Sequence, residues 1–216
     1  MKAGIVVFPG TNCDNDTLRA CEKVGWNAEF IWHDETSVSN YDVIFLPGGF
    51  SYGDYISAGR LAKFSPIMNS IKKYIDEKRG IVIGICNGFQ ILCESGILPG
   101  ALGLNLTSCF ICKDIELTFH HETEDYIKIK LPIAHGEGRY IADEATLEKL
   151  EQNQMIFLEY KNNINGSIND IAGIIDRKNK VIGMMPHPER AVFEEIGNID
   201  GKKFFKFIEA LANENN

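Results

Sequence analysis

The stretch Gly80-Ile-Val-Ile-Gly84-Ile-Cys86-Asn-Gly88-Phe-Gln90 drives a run of β-formers straight into a helix-like segment, with a cysteine at the join. A strand that turns sharply into a helix crowds its own backbone, so only glycine fits at the two flanking positions, Gly84 and Gly88. This is the spacing of a nucleophile elbow. It holds the Cys86 sulfur above the sheet edge at a helix N-terminus, whose partial positive charge favours the thiolate.

Working outward, the first half alternates strand and helix: strands over 4–8, 28–32, 43–46 and 81–85, helices over 14–24 and 65–78. Such alternation predicts βαβ units and an open, mostly parallel, flavodoxin-like α/β sheet with helices on both faces. In the second helix Ile67, Ile71, Tyr74 and Ile75 recur at helical spacing with lysines between them, a buried stripe under a solvated face. A strand-rich insertion is expected around 104–131, and residues 202–211 read as a closing helix. With 216 residues, no linker and no repeat, the chain reads as a single domain over 1–216.

A lone cysteine is more often a small buried hydrophobe than a nucleophile. The segment Val181-Ile-Gly-Met-Met-Pro186-His187-Pro188-Glu189-Arg190 changes that reading, because a second apolar strand ends there in His, Pro and an acid. In an extended segment residues i and i+2 share a face, so Glu189 is expected to hold one ring nitrogen of His187 while the other faces Cys86. An oxyanion hole needs backbone N–H groups aimed at the developing negative charge. Asn87, after the nucleophile, offers one; Gly49, in the Pro47-Gly48-Gly49 that follows the strand over 43–46, offers the second.

These residues resemble the class I (triad) glutamine amidotransferases, cysteine hydrolases that take ammonia from the glutamine side chain. The resemblance spans nearly the whole chain. Three further segments, Phe8 to Asp14, Pro47 to Tyr55 and Pro132 to Tyr140, are similar to the separate glutaminase subunits of phosphoribosylformylglycinamidine synthases. Asn87 directly after the nucleophile points to the same branch. The resemblance implies Cys86, His187 and Glu189 as catalytic residues, and L-glutamine as the substrate. It also implies Gln90, one helical turn beyond Cys86, as a substrate-binding residue; His135 and Gly136 are assigned to binding on the same ground. Ammonia would pass to a large synthetase subunit, joined by a small bridging subunit. ATP and Mg²⁺ are expected on that partner, since this chain carries no Gly-x-x-x-x-Gly-Lys-Ser/Thr loop. No metal or organic cofactor is expected in the chain itself.

Composition is consistent with this. Lys and Arg number 22 against 30 Asp and Glu, a net charge of −8, and the basic residues are scattered, which argues against a nucleic-acid partner. No apolar stretch approaches the roughly 20 residues needed to cross a bilayer, and a cytoplasmic address follows by default. Of the six cysteines, Cys13, Cys21 and Cys93 read as inert, and no structural disulfide is expected. Cys109-Phe-Ile-Cys112 lacks the second pair a zinc knuckle needs. His120-His121 with Glu122, Glu124 and Asp125 reads as a charged turn, because adjacent strand histidines point to opposite faces. Two alternatives stay open here: a cysteine hydrolase of the DJ-1/PfpI-like group, and an amidotransferase-like subunit that binds without turnover.

Overall fold

The computed structural model describes residues 1–122 and 125–214. In chain order the elements are β1 (Lys2–Val7), α1 (Asp14–Lys23), β2 (Asn27–Trp32), β3 (Val43–Leu46), α2 (Pro66–Asp76), β4 (Ile81–Ile85), α3 (Asn87–Glu94), β5 (Ala101–Gly103), β6 (Ile111–Glu122), β7 (Asp125–His135), β8 (Arg139–Ile141), α4 (Glu144–Gln152), β9 (Ile156–Tyr160), β10 (Ile171–Asp176), β11 (Val181–Met184) and α5 (Gly201–Asn213). Nine strands form one sheet in the order β2-β1-β3-β4-β11-β10-β9-β6-β7, and β5 pairs with β8 apart from it.

The half of the sheet from β2 to β11 is parallel throughout, as the alternating pattern requires. Beyond β11 the strands pair antiparallel. The strand-rich segment is thus a long hairpin, β6 to β7, that extends the same sheet. Its first strand starts at Ile111 and its second runs on to His135, so residues 104–110 are loop.

Helices cover both faces. Leu46 of β3 lies in register with Gly84 of β4, and Gly84 with Gly183 of β11, so the three share a face. That face carries α3: a Cβ on Gly183 would lie 2.1 Å from the Phe89 ring. Phe45, one residue along, points to the other face and meets Phe205 of α5 with ring centroids 6.3 Å apart. The same helix sends Phe207 against Phe119 of β6 and Phe157 of β9, so it spans the join between the parallel and antiparallel halves. β3 and β4 are buried at every position, as a parallel strand covered on both faces must be. The α2 stripe of Ile67, Ile71, Tyr74 and Ile75 is buried as its spacing predicts.

Four segments leave the carboxyl ends of neighbouring parallel strands toward one side of the sheet: Asn12 and Cys13 after β1, Gly48 and Gly49 after β3, Cys86 after β4 and His187 after β11. Open α/β sheets gather their ligands at this edge.

Candidate active site

Cys86 sits between β4 and α3 with φ 52° and ψ −106°, a region that L-residues rarely enter. The flanking glycines explain how it is held. A Cβ on Gly84 would lie 2.6 Å from the Gly88 carbonyl, and one on Gly88 only 1.8 Å from the Leu46 carbonyl oxygen. The elbow is therefore closed by backbone packed on backbone, and no side chain fits inside it.

His187 and Glu189 are almost completely removed from solvent, at 1% and 0% exposure. His187 Nδ1 and Glu189 Oε1 lie 2.6 Å apart. The i, i+2 relation read from sequence holds, but its geometry differs: β11 ends at Met184, and Pro188–Arg190 form a 3₁₀ turn that brings the carboxylate back to the ring. The residue is fixed from a second direction by its backbone N–H, which donates to the Pro132 carbonyl of β7 at 2.8 Å. The other ring nitrogen, Nε2, is buried with no hydrogen-bond partner among the described residues. Burial works against charge on this ring, yet the Glu189 carboxylate and then the Cys86 sulfur outweigh it and lift the His187 pKa well above its usual value.

Gly48 marks where these groups converge. A Cβ there would lie 2.8 Å from His187 Cε1, 3.0 Å from Cys13 Sγ and 3.3 Å from Cys86 Cβ. At Gly49 a φ of +150° and three backbone atoms within 2.9 Å of a virtual Cβ leave room for glycine alone. Among the described residues the Gly49 and Asn87 N–H groups donate to no other group. Two free donors beside an elbow thiol are what an oxyanion hole requires.

The convergence opens into a cavity of about 350 Å³. Cys86, His187, Gly49, Gln90, His135 and Gly136 all line it, so every side chain expected at the surface of the site is there. Glu189 stands behind His187, and the Asn87 side chain turns inward. Its Oδ1 accepts from Ser51 N at 3.1 Å, and its Nδ2 donates to Gln90 Oε1 at 2.8 Å. Gln90 Nε2 in turn donates to the Glu137 carbonyl at 2.6 Å. Gln90 is therefore tied into the wall of the cavity by both ends of its amide. His135 is held by Asn105 Oδ1 at 3.0 Å, and burial pushes its pKa down to about 4, helped by the nearby His187 charge.

Sequence reasoning missed Cys13, Asp54 and Arg190, which line the same cavity, as does Glu137 of the Pro132 to Tyr140 segment. Cys13, expected to be inert, is the correction. Its Sγ lies 3.0 Å from Arg190 Nη2, and its sulfur, a His187 nitrogen and a Glu189 oxygen lie within 4.8 Å of one another. A thiol, an imidazole and a carboxylate so placed would suit a soft divalent ion by donor type. Arg190 already brings positive charge to that sulfur, and His187 Nδ1 is engaged by Glu189. Cys13 follows β1, and only the pairing of β1 with β3 brings it to the site, so helical spacing carried no trace of its position.

The remaining cysteines behave as expected of inert thiols. Burial raises Cys21 to about 12 and Cys93 higher still, and no described cysteine is in a disulfide. Cys109 and Cys112 are exposed at the start of the hairpin. His120 pairs with Glu159 at 2.5 Å; Glu124, from the charged turn beside it, lies outside the described residues.

A family model described as a CobB/CobQ-like glutamine amidotransferase domain matches residues 1–204. The phosphoribosylformylglycinamidine synthase subunit PurQ of Thermus thermophilus is 49% identical over 219 aligned positions, covering 95% of this chain and 96% of that protein. The subunit of the same name from Prochlorococcus marinus is also 49% identical, over 98% and 99%. Among solved structures, PurLQS from Thermotoga maritima superposes with a TM-score of 0.87 at 41% identity over 97% of both chains. A putative GMP synthase subunit from Thermoplasma acidophilum has a TM-score of 0.65 at 15% identity over 98% of this chain and 94% of that one, a likeness of fold alone.

Proposed function

Because the chain belongs to the CobB/CobQ-like glutamine amidotransferase family, we propose that the cavity over Cys86 hydrolyses L-glutamine as the glutaminase subunit of phosphoribosylformylglycinamidine synthase. The observation that carries the chemistry is the buried 2.6 Å contact between Glu189 and His187 beside an elbow cysteine, with Nε2 left free on the cysteine side.

Cys86, as thiolate, attacks the side-chain amide carbon of glutamine, and the Gly49 and Asn87 N–H groups hold the oxygen that becomes negative. The protonated His187 ring gives its proton to the departing ammonia. That leaves a glutamyl thioester and a neutral imidazole, which then takes a proton from water as the water attacks the same carbon. Glutamate leaves and the thiolate returns. Throughout, Glu189 fixes the tautomer of the ring and stabilises its charge.

The ammonia serves a second site. The relatives' name is that of a synthase subunit, and the Thermotoga relative is part of PurLQS. The partners are a large synthetase subunit and a small bridging subunit. On the large subunit ammonia replaces the formamide oxygen of formylglycinamide ribonucleotide, giving the formylglycinamidine ribonucleotide of de novo purine synthesis. ATP and Mg²⁺ belong to that half-reaction. We read the chain over 1–216 as one glutaminase domain working in the cytoplasm; among the described residues no helix is long and apolar enough to cross a membrane.

The test is the complex reconstituted from the three subunits. Cys86→Ala abolishes synthesis supported by glutamine and spares synthesis supported by added ammonia. Equal loss of both activities removes Cys86 from the glutaminase role.

A further inference from the structure

Glu189 has to serve His187, yet the residue that follows it is an arginine. Arg190 ends the same 3₁₀ turn, Pro188–Arg190, and its side chain lines the cavity. Glu189 Oε1 faces His187 Nδ1 at 2.6 Å, whereas Oε2 is buried with no hydrogen-bond partner among the described residues. A carboxylate oxygen left unpaired in a dry site is costly and is open to any donor that can reach it. A guanidinium is the donor best matched to a carboxylate. If Arg190 paired with Glu189, its permanent charge would cancel the field that lifts the His187 pKa.

The guanidinium is held elsewhere. Its Nε donates to Asp16 Oδ2 at 2.9 Å and its Nη2 to Cys13 Sγ at 3.0 Å. Both partners belong to the start of α1: Cys13 is its N-cap, and Asp16 lies in its first turn, where the helix dipole favours a carboxylate. Cys13 is itself fixed. Its N–H donates to the Gly48 carbonyl at 3.1 Å, and its carbonyl accepts from Thr17 N at 3.0 Å and Thr17 Oγ1 at 2.8 Å. Among the described residues Arg190 is in an ion pair with Asp16 and Glu189 with His187, and the two pairs do not exchange members. Glu189 is nonetheless near. The Cys13 sulfur that receives Nη2 lies within 4.8 Å of a Glu189 oxygen. Burial works against the Arg190 charge, yet Cys13, then Glu189, then Asp16 outweigh it and raise its pKa above the ordinary arginine value.

We infer that Asp16 is a positioning residue for the triad: with Cys13 as a second anchor, it holds the Arg190 guanidinium on α1 and so keeps Glu189 paired with His187. The inference rests on the glutaminase reading and deepens it. Asp16 does not line the cavity and acts through Arg190. Its ion pair is partly open to water, with side-chain exposures of 33% for Arg190 and 41% for Asp16, and such pairs add little to stability. Its loss is therefore read in turnover, with the fold retained.

The test is a double-mutant cycle in the reconstituted complex, with Asp16→Asn, Arg190→Met and the two together. Asp16→Asn frees Arg190 to pair with Glu189. The His187 ring then gives up its proton at lower pH, so the alkaline limb of the kcat profile for glutamine moves about one unit toward acid. Above neutrality kcat falls about tenfold, with KM unchanged. The other groups that act on this ring, Cys86 after β4 and Cys13 after β1, are the same in both enzymes, as is His135 at the end of β7, which feels its charge. In the Arg190→Met background no competing cation follows Glu189, and Asp16→Asn adds no further loss. Additive losses, an unmoved alkaline limb, or a rise in KM at unchanged kcat overturns the inference. So does a loss shared equally by glutamine-supported and ammonia-supported synthesis, which reports assembly. Failure of the wild-type complex to release glutamate from glutamine marks the failure of the glutaminase reading instead.

Discussion

Glu189→Gln is the substitution that separates the catalytic reading of His187 from a packing role. Glutamine is nearly isosteric with glutamate and still accepts from His187 Nδ1, so the ring keeps its place while the charge behind it disappears. Both side chains lie at 1% exposure or less, where water replaces little of what is lost. Removing one partner of a buried ion pair costs about 3–5 kcal/mol. Here the imidazolium is needed when ammonia departs, so that cost falls on the transition state and converts to about two to four orders of magnitude in kcat. The pH dependence of stability carries a second signature. In the wild type the His187 pKa is raised, so its contribution is complete below the unfolded value near 6.5 and fades as pH rises through the folded value on the alkaline side. With Glu189 neutral, burial dominates, the ring loses its proton earlier, and the alkaline fade disappears. The assay is glutamine-supported against ammonia-supported synthesis in the complex, with urea titrations of the isolated chain carried from below the unfolded value near 6.5 into the alkaline range. A variant that keeps more than a fifth of the wild-type glutamine rate, with an unchanged alkaline profile, would falsify the triad assignment of Glu189.

Gly88→Ala puts a Cβ 1.8 Å from the Leu46 carbonyl oxygen, a backbone contact that only a shift of α3 away from β3 relieves; it costs about 3 kcal/mol and about 10 °C in Tm, and an unchanged melting curve refutes the account of the elbow. His135 has its pKa lowered to about 4, so its contribution to stability is present above the unfolded value near 6.5 and is lost as pH falls toward 4. His135→Gln therefore flattens the stability profile between those values by about 3 kcal/mol relative to wild type, measured by urea titration; parallel profiles count against it. Cys13→Ala removes the sulfur 3.0 Å from Arg190 Nη2 and beside His187, and is expected to lower kcat about tenfold with the fold retained by circular dichroism. A wild-type rate returns Cys13 to the inert class.

The parts of the fold that were legible are those whose cause is local. Gly84 and Gly88 are required by a steric clash within a few residues, and the strands over 43–46 and 81–85 are bounded by the sequence itself because every position in them is buried. The antiparallel half left a weaker trace. β9 and β10 pair with each other, β9 also with β6, and nothing in their local composition states that a hairpin over a hundred positions from the first strand continues the same sheet. The strand-rich stretch expected over 104–131 begins later than that, because residues 104–110 are loop: Leu104, Leu106 and Phe110 are exposed there, and Leu104 and Phe110 line the cavity.

The same division runs through the site. Cys86, His187 and Glu189 are found by spacing because each is tied to a strand end by a short segment, although the reading placed Glu189 in a strand where the chain makes a 3₁₀ turn. Pro188 explains why the outcome survives that error: its fixed φ suits the first position of the turn, and the turn closes the i, i+2 distance as a strand pleat would have aligned it. Cys13, Asp54, Glu137 and Asn105 had no such anchor. Each stands in a loop that meets the others through the sheet order β1-β3-β4-β11 and the hairpin that follows it, so their meeting is a property of the topology. Asn105 shows the consequence most plainly. Its amide bonds four groups over 33 positions and fixes the tautomer of His135, yet as a lone asparagine in a loop it looks like any turn residue. The elbow is written in neighbouring residues, whereas the other groups around the cavity are written in the crossing of loops, which only the folded chain brings together.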